Sequence, residues 1–314
     1  MNSVEDISKG FRSGFVALIG RPNVGKSTLV NKLVGKKVAI TSPVAQTTRN
    51  RLRAILTTLT AQLVIVDTPG IHKPHHLLGE RLVKSAKISI SEVDIVLLIF
   101  EASSPPGKGD CFIVELLKKQ KIPVLVVLNK WDLVVQDNSQ ERLYEYKSLL
   151  ENVSWPLYRC SAQSGYGCNE LIDVVSRELP FGSKLYPDNI VSDQPEHILL
   201  AELIREQVLI HTREEVPHSV AVKIDQIDEI PLKGKKKGEE FRTAVLATVL
   251  VERKSQKGIL IGKGGSMLKQ IGAGARLQMQ SLINGSVYLE LFVKVVPDWR
   301  AKPARLSELG YDGN

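Results

Sequence analysis

Residues 20–27 read GRPNVGKS and set Gly20, Gly25, Lys26 and Ser27 at the spacing G-x-x-x-x-G-K-[ST], directly after the apolar run SGFVALIG. Glycine leaves backbone N–H groups free to close on a phosphate with no Cβ in the way. The helix expected to open at Lys26 turns its positive dipole end on the same anion. In such a loop the lysine lies along the β- and γ-phosphates and the serine hydroxyl ligates magnesium. Arg21, Pro22, Asn23, Val24 and Thr28 complete the expected contact set, so the octet predicts a nucleoside triphosphate site.

Two further tetrads specify that site. DTPG, residues 67–70, ends the run QLVIVDT. Asp67 is placed to hold the magnesium shell and the Gly70 N–H to meet a γ-phosphate, with Thr68 and Pro69 between them and Ile71 next. NKWD, residues 129–132, ends another apolar run. Guanine presents adjacent N1–H and N2–H donors that one carboxylate accepts together, whereas adenine has an acceptor at N1 and no 2-amino group. Asp132 is the expected reader, Asn129 a base-edge contact, Lys130 a cover along the base plane, and Trp131 their neighbour. A site built around such donors rejects the wrong base by about 10⁴-fold. Ser161 and Ala162 of CSAQSG complete the base pocket through backbone groups.

These residues need a scaffold that brings several strand ends together. GFVALIG, RAILTTLTAQLVIVDT (long enough for two antiparallel strands), DIVLLIF, PVLVVLN and LYRCSA read as strands. STLVNKLV, LLGERLVKSAKISI, KGDCFIVELLKKQ, QERLYEYKSLLEN and CNELIDVVSREL read as helices between them. Such alternation predicts an α/β domain with a mainly parallel six-stranded sheet and helices on both faces. Ligands of such sheets bind beyond the carboxyl ends of the strands, where the octet falls. The 314-residue length points to two domains. We expect the first over residues 12–180, a linker over 181–195, a smaller α+β domain over 196–297, and a C-terminal tail over 298–314, with residues 1–11 and 301–314 flexible.

The second half carries another glycine loop, GILIGKGGSMLKQIGAGAR, residues 258–276. It fails as a phosphate loop because three residues separate Gly258 from Gly262, and Gly264 follows Lys263 where Ser or Thr is needed. Gly262, Lys263, Gly264 and Gly265 form instead a G-x-x-G turn between two helices, after which Leu268, Ile271, Ala275, Met279 and Leu282 keep a helical apolar stripe. Lys254, Lys257, Lys263 and Lys269 supply phosphate-neutralising charge. Residues 242–287 hold no Phe, Tyr or Trp, which excludes base stacking on aromatic platforms there.

Hydrophobic content of 43% and charged content of 24% are those of a soluble globular protein. No apolar stretch approaches the roughly 18 residues that span a bilayer, and residues 1–14 lack a signal-peptide core. Cys111, Cys160 and Cys168 form neither a metal spacing nor an even disulfide set, which fits a reducing cytosol. Residues 233–276 hold 11 Lys or Arg against 3 Asp or Glu, so the net charge of +8 is concentrated where a polyanion would dock. No exposed coiled-coil pattern suggests a dimer, and a monomer is expected.

With these motifs the first half resembles the translation-factor-like GTPases, and the G-x-x-G half is similar to a type II KH domain, which clamps about four nucleotides. The combination, with PNVGKSTL, AQTTR, DTPG, NKWD, EEVPHSV and DWR, resembles the Era family of bacterial GTPases from about Phe15 to Arg300. The first-switch resemblance of QTTR assigns Thr48 to magnesium and the γ-phosphate, beside Lys26 and Asn23 as catalytic candidates. Many such enzymes place a glutamine after D-x-x-G to orient water; Ile71 stands there, which predicts slow intrinsic hydrolysis. Asn23 resembles the asparagine that holds a monovalent cation in some relatives, so potassium or a bound partner is expected to supply the missing stabilisation. The resemblance further implies GTP and GDP as ligands, a cytoplasmic role in small (30S) subunit assembly, 16S ribosomal RNA near its 3′ end as partner, and peripheral contact with the inner face of the membrane. The alternative reading is a constitutive RNA-binding protein whose nucleotide is structural.

Overall fold

The computed structural model describes residues 10–42, 52–68, 70, 90–135, 138–231, 241–309 and 311. Thr48, Pro69 and Ile71, the helix expected over LLGERLVKSAKISI up to residue 89, and the basic loop 232–240 lie outside the described residues.

The amino-terminal half is built on a six-stranded sheet in the order β2-β3-β1-β4-β5-β6. Its strands are β1 (Arg12–Ile19), β2 (Leu52–Thr57), β3 (Ala61–Asp67), β4 (Ile95–Glu101), β5 (Val124–Asn129) and β6 (Leu157–Arg159). Only β2 runs antiparallel, paired to β3; the other neighbours are parallel. Along β1, Val16 and Leu18 enter one apolar cluster and Ala17 and Ile19 enter another on the opposite face. A strand buried on both faces must be apolar throughout, which explains its unbroken run. Helices α1 (Lys26–Val34) and α4 (Cys168–Glu178) cover one face through Leu29, Val30, Leu171 and Val175, and α2 (Lys108–Leu117) and α3 (Ser139–Leu149) cover the other through Ile113, Val114 and Tyr146. Strand order reverses at β1, and the phosphate loop leaves from that switch point.

The carboxyl-terminal half packs α5 (Glu196–His211), α7 (Lys254–Ile261) and α8 (Ser266–Ile283) on a sheet of β7 (Ala221–Pro231), β8 (Phe241–Val251) and β9 (Ser286–Val295), with a short α6 (Val216–Ser219) before it. β7 and β8 are antiparallel and β8 and β9 parallel. A parallel pair needs a crossover, and α7, the glycine turn and α8 provide it. Ile271, Ala275 and Met279, fully buried at helical spacing, form its core with Ile204, Val208, Val245 and Val249. Gly274 lets α8 approach α5 closely, since a β-carbon there would meet Gln207 Oε1 at 2.1 Å.

Two segments outside the sheets are anchored to them. In the tail, α9 (Pro303–Glu308) forms, and Trp299, Leu306, Leu309 and Tyr311 bury themselves against Ala221 and Leu250; four apolar side chains on a short segment suffice to hold it to the sheet. Residues 181–195 are strapped to the first domain. Gln62 bonds Leu185 N, Tyr186 N and Tyr186 O, and Arg53 pairs with Asp193 at 3.0 Å.

Candidate functional site

The loop 20–27 lines a cavity of about 700 Å³ with Pro22, Asn23, Gly25, Lys26, Ser27, Thr28, Gly70 and Lys130 on its wall. Gly25 adopts φ +93, and a β-carbon there would come within 2.3 Å of Asn129 Nδ2, so neither the backbone angle nor the space admits another residue. Gly70 is constrained by space alone, because its β-carbon would press on Pro22 N at 2.7 Å.

Lys26 is buried and donates to Gly20 O at 3.2 Å and Arg21 O at 2.9 Å. Burial lowers its pKa to about 8, with the Asp67 charge pulling the other way. Ser27 Oγ donates to Asp67 Oδ2 at 2.7 Å. A hydroxyl and a buried carboxylate thus meet beneath the loop, and this pair of hard oxygen donors fits a magnesium ion. Thr68 Oγ1 donates to Leu18 O at 2.6 Å, pinning the end of β3 to β1. Arg21 turns from the cavity to pair with Asp110 at 2.8 Å, and Val24 is a core residue.

A smaller cavity of about 270 Å³ shares Gly25, Thr28 and Lys130 with the first and adds Asn129, Asp132, Leu133, Ala162 and Gln163. Asp132 is exposed there, in a 3₁₀ turn over Trp131–Leu133. Asn129 lines this cavity, and its amide also bridges two loops: Nδ2 donates to Val24 O at 2.8 Å and Oδ1 accepts from Ala162 N at 3.0 Å. The amide bolts the phosphate loop to the loop after β6, so it positions both. Ser161 is likewise buried, its hydroxyl accepting from Ser164 N. Trp131 N donates to Cys160 O, and the Arg159 guanidinium lies 5.5 Å from the Trp131 ring centre.

Sequence reasoning missed Glu101, Gln163, Ile40, Thr41 and Ile210 on the cavity walls. Glu101 ends β4 and pairs with Lys130 at 2.8 Å; burial raises its pKa, but bonds from Lys130 and Ser103 outweigh this and hold it below the usual carboxylate value. Ile40, although part of the first half of the chain, inserts into the apolar cluster of the second. Beside it, the buried Glu206 of α5 accepts from Thr41 N at 2.7 Å and from Gln278 of α8 at 2.6 Å, and pairs with Lys37. Only the apolar neighbours of Glu206 in α5 hinted at its burial.

The G-x-x-G turn has positive φ at Gly262, Gly264 and Gly265 (+71, +59 and +80). A β-carbon at Gly264 or Gly265 would meet nothing within 4 Å, so the turn is open to a ligand backbone. Lys254, Lys263 and Lys269 are exposed and Lys257 half-buried around it.

A six-stranded phosphate-loop domain joined to this G-x-x-G domain defines a P-loop GTPase with a KH module. A family model described as a 50S ribosome-binding GTPase matches residues 15–130, and a KH-domain model matches residues 215–300. The chain is 55% identical to GTPase Era of Nostoc sp. (strain PCC 7120) over 98% of its length and 92% of that protein. It is 48% identical to GTPase Era of Heliobacterium modesticaldum over 96% of its length and 97% of that protein. A crystal structure of Era with MgGDPNP and nucleotides 1506–1542 of 16S ribosomal RNA superposes with TM-score 0.89 at 37% identity, covering 96% of this chain and 99% of the other. A variant of Aquifex aeolicus Era bound to GDP·AlF4⁻ gives 0.88 at the same identity, covering 96% and 100%. The chain belongs to the Era family of GTPases. Among the described residues no helix is long and apolar enough to cross a membrane.

Proposed function

We propose that this protein is a GTP-governed switch that binds 16S ribosomal RNA near its 3′ end and acts in assembly of the small ribosomal subunit, a cytoplasmic task. The observation that carries the reading is the unbroken path from the phosphate cavity through Ile40 and Thr41 to Glu206 and Gln278 in the KH half. A constitutive RNA binder with a structural nucleotide would need no such path.

In this reading Lys26, Gly25 and the neighbouring N–H groups of the loop hold the β- and γ-phosphates, and Lys26 regains its charge fully against them. Ser27 and Asp67 would hold magnesium, which supplies neutralisation of charge developing on the transferred phosphoryl group. Asp132 accepts the two guanine donors, Lys130 covers the base plane with its ammonium fixed by Glu101, and Ala162 closes the pocket. Thr48 and Gly70 sense the γ-phosphate, and their release on hydrolysis shifts Thr41 and thus its bond to Glu206. Asn23 would hold a potassium ion, which would supply the electrostatic stabilisation that a glutamine at the position of Ile71 gives elsewhere. RNA phosphates run over Gly264 and Gly265, with Lys254, Lys257, Lys263 and Lys269 beside them.

The comparison with the 16S complex favours the small subunit over the large one that the GTPase-domain description names. Competition of guanosine and adenosine triphosphates for the purified protein tests the first half of the reading: guanosine nucleotide should bind at least about 10³-fold more tightly, and equal binding would reject it.

A further inference from the structure

Two of the three cysteines, eight residues apart in sequence, are brought together behind the base pocket. Cys160 follows β6 and Cys168 opens α4; both are buried, and their sulfurs lie 3.5 Å apart. The residues between them, 161–167, form the loop that carries Ser161 and Ala162. Cys160 O receives Trp131 N, Cys168 Sγ points to Ser161 O at 3.7 Å, and Ala162 N holds Asn129. Of these groups, Asn129 and Ala162 line the smaller cavity. We propose that Cys160 and Cys168 form an oxidation site: a peroxide-class oxidant converts the pair to a disulfide that distorts this loop and weakens guanine-nucleotide binding, and dithiol exchange restores it. The effect on nucleotide rests on the function proposed above; the disulfide itself does not.

Cys168 is the attacking sulfur. It sits in the first turn of an eleven-residue helix, where the dipole favours a thiolate. The Lys32 side chain reaches the same loop, so close to Gly165 that a β-carbon there would sit 2.7 Å from its Cε. The hydrogen bond from Cys160 lowers the Cys168 pKa, burial opposes this, and the Lys32 charge adds to the lowering; the same contact and burial push Cys160 up. The Cys168 thiolate attacks one peroxide oxygen, the O–O bond breaks, and a sulfenic acid and hydroxide result; the hydroxide takes a proton to become water. Cys160 sulfur then attacks Cys168 Sγ, the S–O bond breaks, and the departing hydroxide leaves as water with the Cys160 proton. Two thiols lose two electrons and the two peroxide oxygens gain them. Closing the bond removes the S–H donor from Ser161 O and draws the two ends of the loop together.

Trypsin should release both cysteines on one peptide, residues 160–177, because Arg159 and Arg177 flank it and no Lys or Arg intervenes. The full-length protein with Cys111→Ser, which removes the exposed thiol, is treated with hydrogen peroxide and digested under alkylating conditions. The expected result is loss of two hydrogens from that peptide, no alkylation of either cysteine, and about tenfold weaker binding of a fluorescent GDP analogue, the scale of one lost hydrogen bond or two. Dithiothreitol should reverse all three. Cys168→Ser, which keeps a hydroxyl donor for Ser161 O, should bind the analogue as the reduced protein does and ignore peroxide; if it fails to fold, the oxidised and reduced parent proteins still decide. Two alkylatable thiols after peroxide, or a disulfide with unchanged nucleotide affinity, would overturn the proposal. A reduced protein that binds no guanine nucleotide would instead reject the function proposed above, leaving the peptide mass to judge the disulfide.

Discussion

The chain holds two glycine loops flanked by lysine, and they use glycine for opposite reasons. In the loop at 20–27, Gly25 is surrounded: its absent β-carbon is space that Asn129 occupies. In the turn at 262–265, Gly264 and Gly265 face nothing within 4 Å, and only their positive φ demands glycine. The lysines differ in the same sense. Lys26 is buried and bonded within its loop, whereas Lys263 is exposed. The first loop is a closed cradle that fits one small anion from all sides. The second is an open saddle, suited to a polymer backbone that enters and leaves.

The contrast breaks most visibly at the specificity end of the closed site. Replacing Asp132 by Asn removes the acceptor for both guanine donors, and GTP affinity should fall about 10³-fold or more while xanthosine triphosphate, with a carbonyl in place of the 2-amino group, gains. Nucleotide competition measured by fluorescence checks this; retained guanine preference would mean that Asp132 is not the reader.

Glycine substitutions sharpen the comparison next. Gly25→Ala should cost about 3 kcal/mol of stability or more, through overlap with Asn129 and a forced backbone angle, and should abolish nucleotide binding. The double variant Gly264→Asp, Gly265→Asp should keep GTP binding within about twofold and lose about 1–2 kcal/mol at each position; RNA affinity should drop at least about tenfold, since two carboxylates would face the phosphates. Thermal melts with nucleotide and RNA titrations separate the two outcomes; unchanged RNA affinity would remove the saddle from the RNA surface.

Lys26 offers a pH test of smaller size. The unfolded chain keeps its lysine proton to about 10.5 and the folded one only to about 8. Between those values the unfolded state binds more protons, so without nucleotide stability should rise with pH across that window. Below pH 8 the full penalty, about 3 kcal/mol, is present. Lys26→Met should therefore be more stable than the parent at pH 7 and should flatten the profile while losing nucleotide affinity. A parent profile flat from pH 8 to 10 would contradict a buried ammonium. The smallest effect belongs to the open loop: Lys263→Ala should weaken RNA binding severalfold and reduce the salt slope by about 1.

The same contrast explains what could be read in the sequence. The phosphate loop, DTPG and NKWD are local devices on strand ends, so a few adjacent residue types expose both the fold and the chemistry. The alternation of apolar runs gave the sheet because β1 and its neighbours are buried on both faces. The bridging role of Asn129 was not legible, because its partners, Val24 and Ala162, lie 105 and 33 residues away, and no spacing encodes them. Glu206 reads as an ordinary polar position on an amphipathic helix; only its contacts with Lys37, Thr41 and Gln278 reveal a joint between halves. Residues 301–314 were expected to be flexible because the family resemblance stops at Arg300, yet Leu306, Leu309 and Tyr311 pack with Trp299 against the sheet.

The central claim is that the closed loop governs the open one through the Thr41–Glu206 contact. Affinity for a single-stranded RNA copying the 3′ end of 16S ribosomal RNA, measured on one preparation loaded in turn with GDP and with a non-hydrolysable GTP analogue, tests it most directly. We expect the two affinities to differ at least about fivefold, the scale of an ordinary coupling free energy, and the difference to shrink in Glu206→Gln. Equal affinities in the two nucleotide states would contradict the account.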